Sequence, residues 1–162
     1  MRRYLALVSV MCITLCSMAQ SHVLQVPDTG RLELRTSINV HDNQLSGITI
    51  IKQVDGCVKG IMMNEFGIKV LAFELSRNRN KIKLTDVVAL MNHWWIKRIV
   101  KSDIKYLFNV TTDQIGIEKN RRKVITANGV ITLENSRHDI TYTFGPMDES
   151  QNREEKQDEI EE

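Results

Sequence analysis

The stretch Leu45–Leu75, LSGITIIKQVDGCVKGIMMNEFGIKVLAFEL, decides the fold. Its apolar residues come in short runs separated by turn signals. Asp55-Gly56 is a two-residue hairpin signal, because a type I′ turn needs φ > 0 at both central positions. Asn64-Glu65-Phe66-Gly67 is a second tight connection, in which Gly67 is free to take φ > 0. These breaks predict strands over Leu45–Val54, Cys57–Asn64 and Gly67–Leu75. A fourth follows over Lys81–Thr85, after the polar turn Arg77-Asn78-Arg79-Asn80, whose two Asn tolerate left-handed geometry.

After Thr85 the period changes. Trp95, Ile96, Ile99, Val100, Ile104, Leu107 and Phe108 recur at three- and four-residue steps, as on one face of a helix. Lys97, Arg98, Lys101 and Lys105 fall mostly on the other side. The preferred reading runs the strand on to Val88 and starts the helix after Asn92, with Asn92 as its cap. The other starts a longer helix at Thr85 or Asp86. Trp94 and Trp95 cannot both face the core, so one is expected at a rim, where an amphipathic indole often lies.

Towards the N-terminus, Leu32, Leu34, Thr36, Ile38 and Val40 alternate with Arg31, Glu33, Arg35, Ser37, Asn39 and His41, which gives one dry face and one wet. Towards the C-terminus, Gln114–Glu118, Arg121–Ala127, Val130–Glu134 and Asp139–Phe144 each fit a strand, and Asn128-Gly129 is another I′ turn. An apolar sheet face must be covered, and the helix is what the sequence supplies. The expected fold is α+β: a strongly curved antiparallel sheet of about eight or nine strands, an incomplete barrel, with one main helix packed into its concave face.

The ends differ from this middle. Residues 1–19 read as a secretory signal, with Arg2 and Arg3 before the apolar run Leu5–Cys16 and small residues at Ser17 and Ala19. The apolar run is short for a membrane span. Lipidation at Cys16 is the competing reading. Leu15 stands where such leaders carry a small residue, so cleavage after Ala19 is expected. Residues 20–146 form the single domain, with 18 basic and 12 acidic side chains and a net charge of +6. Residues 147–162 carry eight acids against Arg153 and Lys156, a net charge of −6, and read as a disordered acidic tail. A moderately basic domain suits anionic lipid or an acidic partner, although a merely soluble surface is the commoner use of such charge.

Catalytic patterns are missing from the sequence. His22, His41, His93 and His138 are scattered, and no nucleophile elbow, phosphate loop or CxxC is present. The expectation is a non-enzyme with no cofactor and no metal. Cys57, the one cysteine left after cleavage, reads as a small apolar strand residue. Arg121-Arg122-Lys123 lacks interleaved aromatics and argues little for nucleic acid. Asp103 and Glu65 are the acids expected to be partly buried, with Asp103 in a solvated ion pair of little worth beside Lys97 and Lys101.

Four segments carry a resemblance: Ser46-Gly47-Ile48-Thr49-Ile50-Ile51-Lys52, Asn64-Glu65-Phe66-Gly67-Ile68-Lys69, Phe73-Glu74-Leu75, and Ile96-Lys97 with Asp103 further on. In these, Leu45–Phe108 resembles a group of small secreted proteins and lipoproteins of Bacteroidota. That group looks like the Lol-type carrier and receptor fold of outer-membrane lipoprotein transport. The resemblance implies an incomplete β-barrel with a helix in its mouth. It also implies non-covalent binding of a lipid, or of the acyl chain of a lipoprotein, in the envelope. Separately, a monomer is expected, with a lipid or lipoprotein and the inner leaflet of the outer membrane as the expected partners.

The groove that would do this is expected to be lined by Ile48, Ile50, Met62, Phe66, Leu71, Phe73, Trp94, Trp95, Ile99 and Leu107. Met62 and Met63 would suit a pliable pocket, although filling an irregular core is the commoner use of methionine. Two functions are therefore weighed. One is an exported binder of an apolar ligand. The other is a structural or assembly protein whose groove is closed by its own helix. A cavity of roughly 300 Å³ or more would favour the first.

Overall fold

The computed structural model describes residues 21–41 and 43–147. The expected leader and acidic tail lie outside these described residues. Eight strands and one long helix follow in order: β1 (Leu32–Val40), β2 (Asn43–Val54), β3 (Cys57–Met63), β4 (Lys69–Leu75), β5 (Ile82–Val87), α1 (Trp94–Asn109), β6 (Arg122–Ala127), β7 (Val130–Asn135) and β8 (Ile140–Pro146). The strands form one antiparallel sheet in the order β5-β4-β3-β2-β1-β8-β7-β6. The sheet curves without closing, and α1 packs into its concave face.

Turn chemistry sets the register. Asp55 and Gly56 have φ of 54° and 75°, and Asn128 and Gly129 have 51° and 77°. Both loops are thus two-residue turns of the I′ class, joining Val54 to Cys57 and Ala127 to Val130 as terminal pairs. The polar turn after β4 differs from expectation, because its left-handed residue is Arg79, with φ 55°, and neither Asn. The Asn78 side chain is occupied elsewhere: its Oδ1 accepts from Ser76 Oγ at 2.8 Å and from the Asn80 N–H at 3.3 Å. Arg79 in turn donates to the Phe108 carbonyl at 2.9 Å, a cation on one of the last carbonyls of α1.

The helix starts at Trp94, with His93 rather than Asn92 at its N-cap and no side-chain cap bond. Asn92 instead accepts Lys97 Nζ at 3.0 Å. Gln114–Glu118 is not a strand. Thr112–Gln114 is a 3₁₀ turn, and Gly116, Asn120 and Arg121 all take positive φ as the chain crosses to β6. Repeated left-handed geometry breaks a ladder, so eight strands form rather than nine.

The core lies between sheet and helix. The inward residues of β1 are Leu34, Thr36 and Ile38, as the alternation predicts, and all three are buried. From α1, Val100, Ile104, Leu107 and Phe108 meet them. At Gly60 a Cβ would fall inside the van der Waals envelope of the Phe73 ring, so only glycine lets that ring lie across β3. Phe73 then meets Phe108 at a centroid distance of 5.7 Å and a tilt of 60°. The lead-in contributes too: Leu24 is buried, the Val23 N–H donates to the Val110 carbonyl at 3.1 Å, and the Thr112 N–H donates to the Ser21 carbonyl at 3.0 Å.

Candidate ligand recess

The ten groove residues expected from the sequence divide into separate sets. Met62, Leu71, Phe73 and Leu107 are buried together between sheet and helix. The space they help to enclose is only about 20 Å³. That is about enough for one water, and its apolar walls offer a water little to bond. The concave face is therefore filled by α1.

Ile48 and Ile50 are not in the groove. Thr49 and Ile51 are the inward residues of β2, and a period of two sends Ile48 and Ile50 to the outer face. Phe66 is not in it either. Asn64 Oδ1 accepts the N–H groups of Phe66 and Ile68 at 3.0 and 2.8 Å, which folds the turn tightly and leaves Phe66 85% exposed. Trp94 and Trp95 are 73% and 49% exposed, so neither indole faces the core.

Trp95 and Ile99 meet elsewhere. With Val40, Leu45, Ile96 and Ile140 they line a recess of about 190 Å³ between the β1–β2 hairpin, the start of β8 and the N-terminal half of α1. Asn43 and Tyr142 are the polar side chains in a wall that is otherwise mostly aliphatic and aromatic. The His93 ring stacks on Trp95 at 6.4 Å and 23°, which holds that indole at the rim.

Asp103 departs furthest from expectation. It is fully buried rather than solvated. Its Oδ1 accepts Arg122 Nε at 2.6 Å, both oxygens accept Asn135 Nδ2 at 2.9 Å, and Oδ2 accepts the Tyr142 hydroxyl at 3.0 Å. Arg122 Nη2 also reaches Ser102 Oγ at 3.0 Å. The carboxylate is thus met by a charged donor and two neutral ones, as a buried anion requires. Burial, and then the Asp103 charge and its hydrogen bond, push the Tyr142 phenol well above its ordinary range. Burial also raises the Tyr106 phenol, against the opposing pull of Arg122. This cluster fastens α1 to β6, β7 and β8.

A signal for Asp103 is present in the sequence: it stands three residues after Val100 and four before Leu107, inside the apolar stripe. Glu65 is exposed and accepts Ser46 Oγ at 3.0 Å. Cys57 is a half-buried free thiol on β3.

Among the described residues, no helix is long and apolar enough to cross a membrane, and no group of three His, Cys, Asp or Glu converges. The chain matches no protein-family model, and no curated protein is significantly similar to it.

Proposed function

We propose that this chain is a non-catalytic binding protein that takes the end of an apolar chain, such as the acyl chain of a lipid or lipoprotein, in the recess beside Trp95. One contrast carries the reading: the interior holds about 20 Å³, whereas the recess offers about 190 Å³ behind apolar walls, short of the roughly 300 Å³ expected of a cavity for a whole ligand. At ~30 Å³ per methylene, taken as similar to one water's share, the recess holds roughly six carbons. A chain end fits and a whole acyl chain does not, so the remainder of the ligand passes out over the half-exposed indole of Trp95. The leader-like composition of residues 1–19 supports a site of action in the cell envelope. Calorimetric titration with n-alkyl maltosides of graded length, kept below their micelle concentrations, tests it. Saturable binding is expected to strengthen up to chains of roughly six to eight carbons and then level off. Val40→Phe, which fills the recess, is expected to weaken it at least tenfold. Absence of saturable heat at every length overturns the reading.

That outcome would leave the second reading, an assembly protein whose groove is occupied by its own helix. The tightly filled interior favours it.

A further inference from the structure

Trp94 turns away from the recess. With Ile82 and Leu84 of the edge strand β5 it lines an open groove of about 570 Å³, whose other wall is Lys97, Arg98, Lys101 and Lys105. Lys97, Lys101 and Lys105 follow at four-residue steps, so they form one row at ~6 Å intervals. Like charges at this spacing repel and destabilise a helix unless anions lie close. The single acid of α1 is Asp103, and it is buried against Arg122. Among the described residues, none of these four cations has a carboxylate partner. Among the described residues, Lys97 is held by the Asn92 amide oxygen.

The matching charge stands in the same chain. Residues 148–162 carry eight acids and two bases, a net charge of −6 that equals in size the excess on residues 20–146. Fifteen extended residues span at most ~50 Å, and a domain of this length has a radius of gyration of ~14 Å. A segment that follows Met147 can then span most of the domain's surface, and charge selects among the faces within reach. We propose that the acidic segment Asp148–Glu162 occupies the basic groove between α1 and β5, with its carboxylates against Lys97, Arg98, Lys101 and Lys105. The inference concerns a different surface from the recess and stands without it. A tethered occupant acts at an effective concentration in the millimolar range. Any outside anion, including an anionic membrane surface, must therefore compete with the segment. The contact weakens as salt shortens the screening length.

Zero-length carbodiimide cross-linking of the full chain at low ionic strength, read by peptide mass mapping of the monomer, tests the proposal. Cross-links from Glu154–Glu162 are expected to concentrate on Lys97, Lys101 and Lys105. They are expected to fall at least fivefold at high salt, and the link to Lys97, whose amine is kept, is expected to fall likewise in Lys101→Glu/Lys105→Glu. Cross-links spread evenly over lysines outside the groove, such as Lys52, Lys59 and Lys119, would overturn it, as would links found only between separate chains. A second variant leaves the groove untouched: the full chain with Glu154, Glu155, Glu159 and Glu161 each changed to Gln. It is expected to bind phosphatidylglycerol vesicles several-fold more tightly than the parent. Equal binding by the two would show the groove open to lipid in the parent and would overturn the proposal.

Discussion

The Tyr142 hydroxyl donates to the Asp103 carboxylate at 3.0 Å, joining the middle of α1 to β8 across 39 residues of chain. With Arg122 and Asn135 on the same carboxylate, it forms a polar clasp in an otherwise apolar layer.

Removing one partner of this clasp leaves a buried charge without compensation. Asp103→Leu is expected to destabilise the fold by roughly 3–5 kcal/mol. The double variant Asp103→Leu/Arg122→Met should lose less than Asp103→Leu alone, since no unpaired guanidinium remains beneath α1. Urea unfolding monitored by circular dichroism measures both, and a double variant less stable than the single would contradict this account.

Tyr142 ties stability to alkaline pH. Its folded pKa is raised well above the ordinary value of 10, chiefly by burial and then by Asp103. Below pH 10 both folded and unfolded chains keep the proton, and the stabilisation is fully present. Above pH 10 the unfolded chain releases it first, binds fewer protons than the folded chain, and stability falls as pH rises towards the folded pKa. Tyr142→Phe is expected to lose about 1.5–3 kcal/mol at neutral pH with its bond to a charged acceptor. It should also show a shallower decline above pH 10, as read from melting temperatures along a pH series.

The absent side chain at Gly60 is a packing requirement. Gly60→Ala places a methyl where the Phe73 ring lies and is expected to cost ~1–3 kcal/mol through overpacking. Adding Phe73→Leu should recover part of that loss, because the smaller side chain vacates the site. Equal costs in the single and double variants would show that the ring is not what the methyl meets.

Leu107 and Ile99 share one helix face, eight residues apart, yet their surroundings differ. Leu107 is 2% exposed in the filled interior, whereas Ile99 is only partly buried at the recess. Leu107→Ala is expected to cost about 2–5 kcal/mol. Ile99→Ala is expected to cost less than half as much, because it enlarges a space already open. Thermal unfolding of the two variants compares them directly.

Much of the sheet was readable because its signals are local. The alternation from Leu32 to Val40 and the turns at Asp55-Gly56 and Asn128-Gly129 each decide their own geometry. The change of period after Thr85 located the helix. Burial was harder to read. Ile48 and Ile50 are β-branched and apolar, yet the parity set by Thr49 and Ile51 turns them outward. Phe66 is an aromatic residue in the middle of a turn whose hydrogen bonds leave it no wall to pack on. The recess could not be read from the sequence, since it depends on how far apart α1, the β1–β2 hairpin and β8 lie. Asp103 was misplaced because its partners Arg122, Asn135 and Tyr142 lie 19 to 39 residues away, beyond any helical spacing rule.

Among the described residues, pairing of β1 with β8, from Leu34–Pro146 to Val40–Ile140, is the one sheet contact between strands that are not successive in the chain. Every other strand pair joins chain neighbours, and most are linked by short turns. On this topology, folding is expected to divide into two fast, locally closed meanders, β1–β5 and β6–β8, and one slower event that brings strands about a hundred residues apart into register. The same arrangement brings the first and last strands side by side. A circular permutant that links Met147 back to Ser21 and opens the chain within Ile115–Asn120 would make this distant pairing local. It should fold faster than the parent while keeping all eight strands.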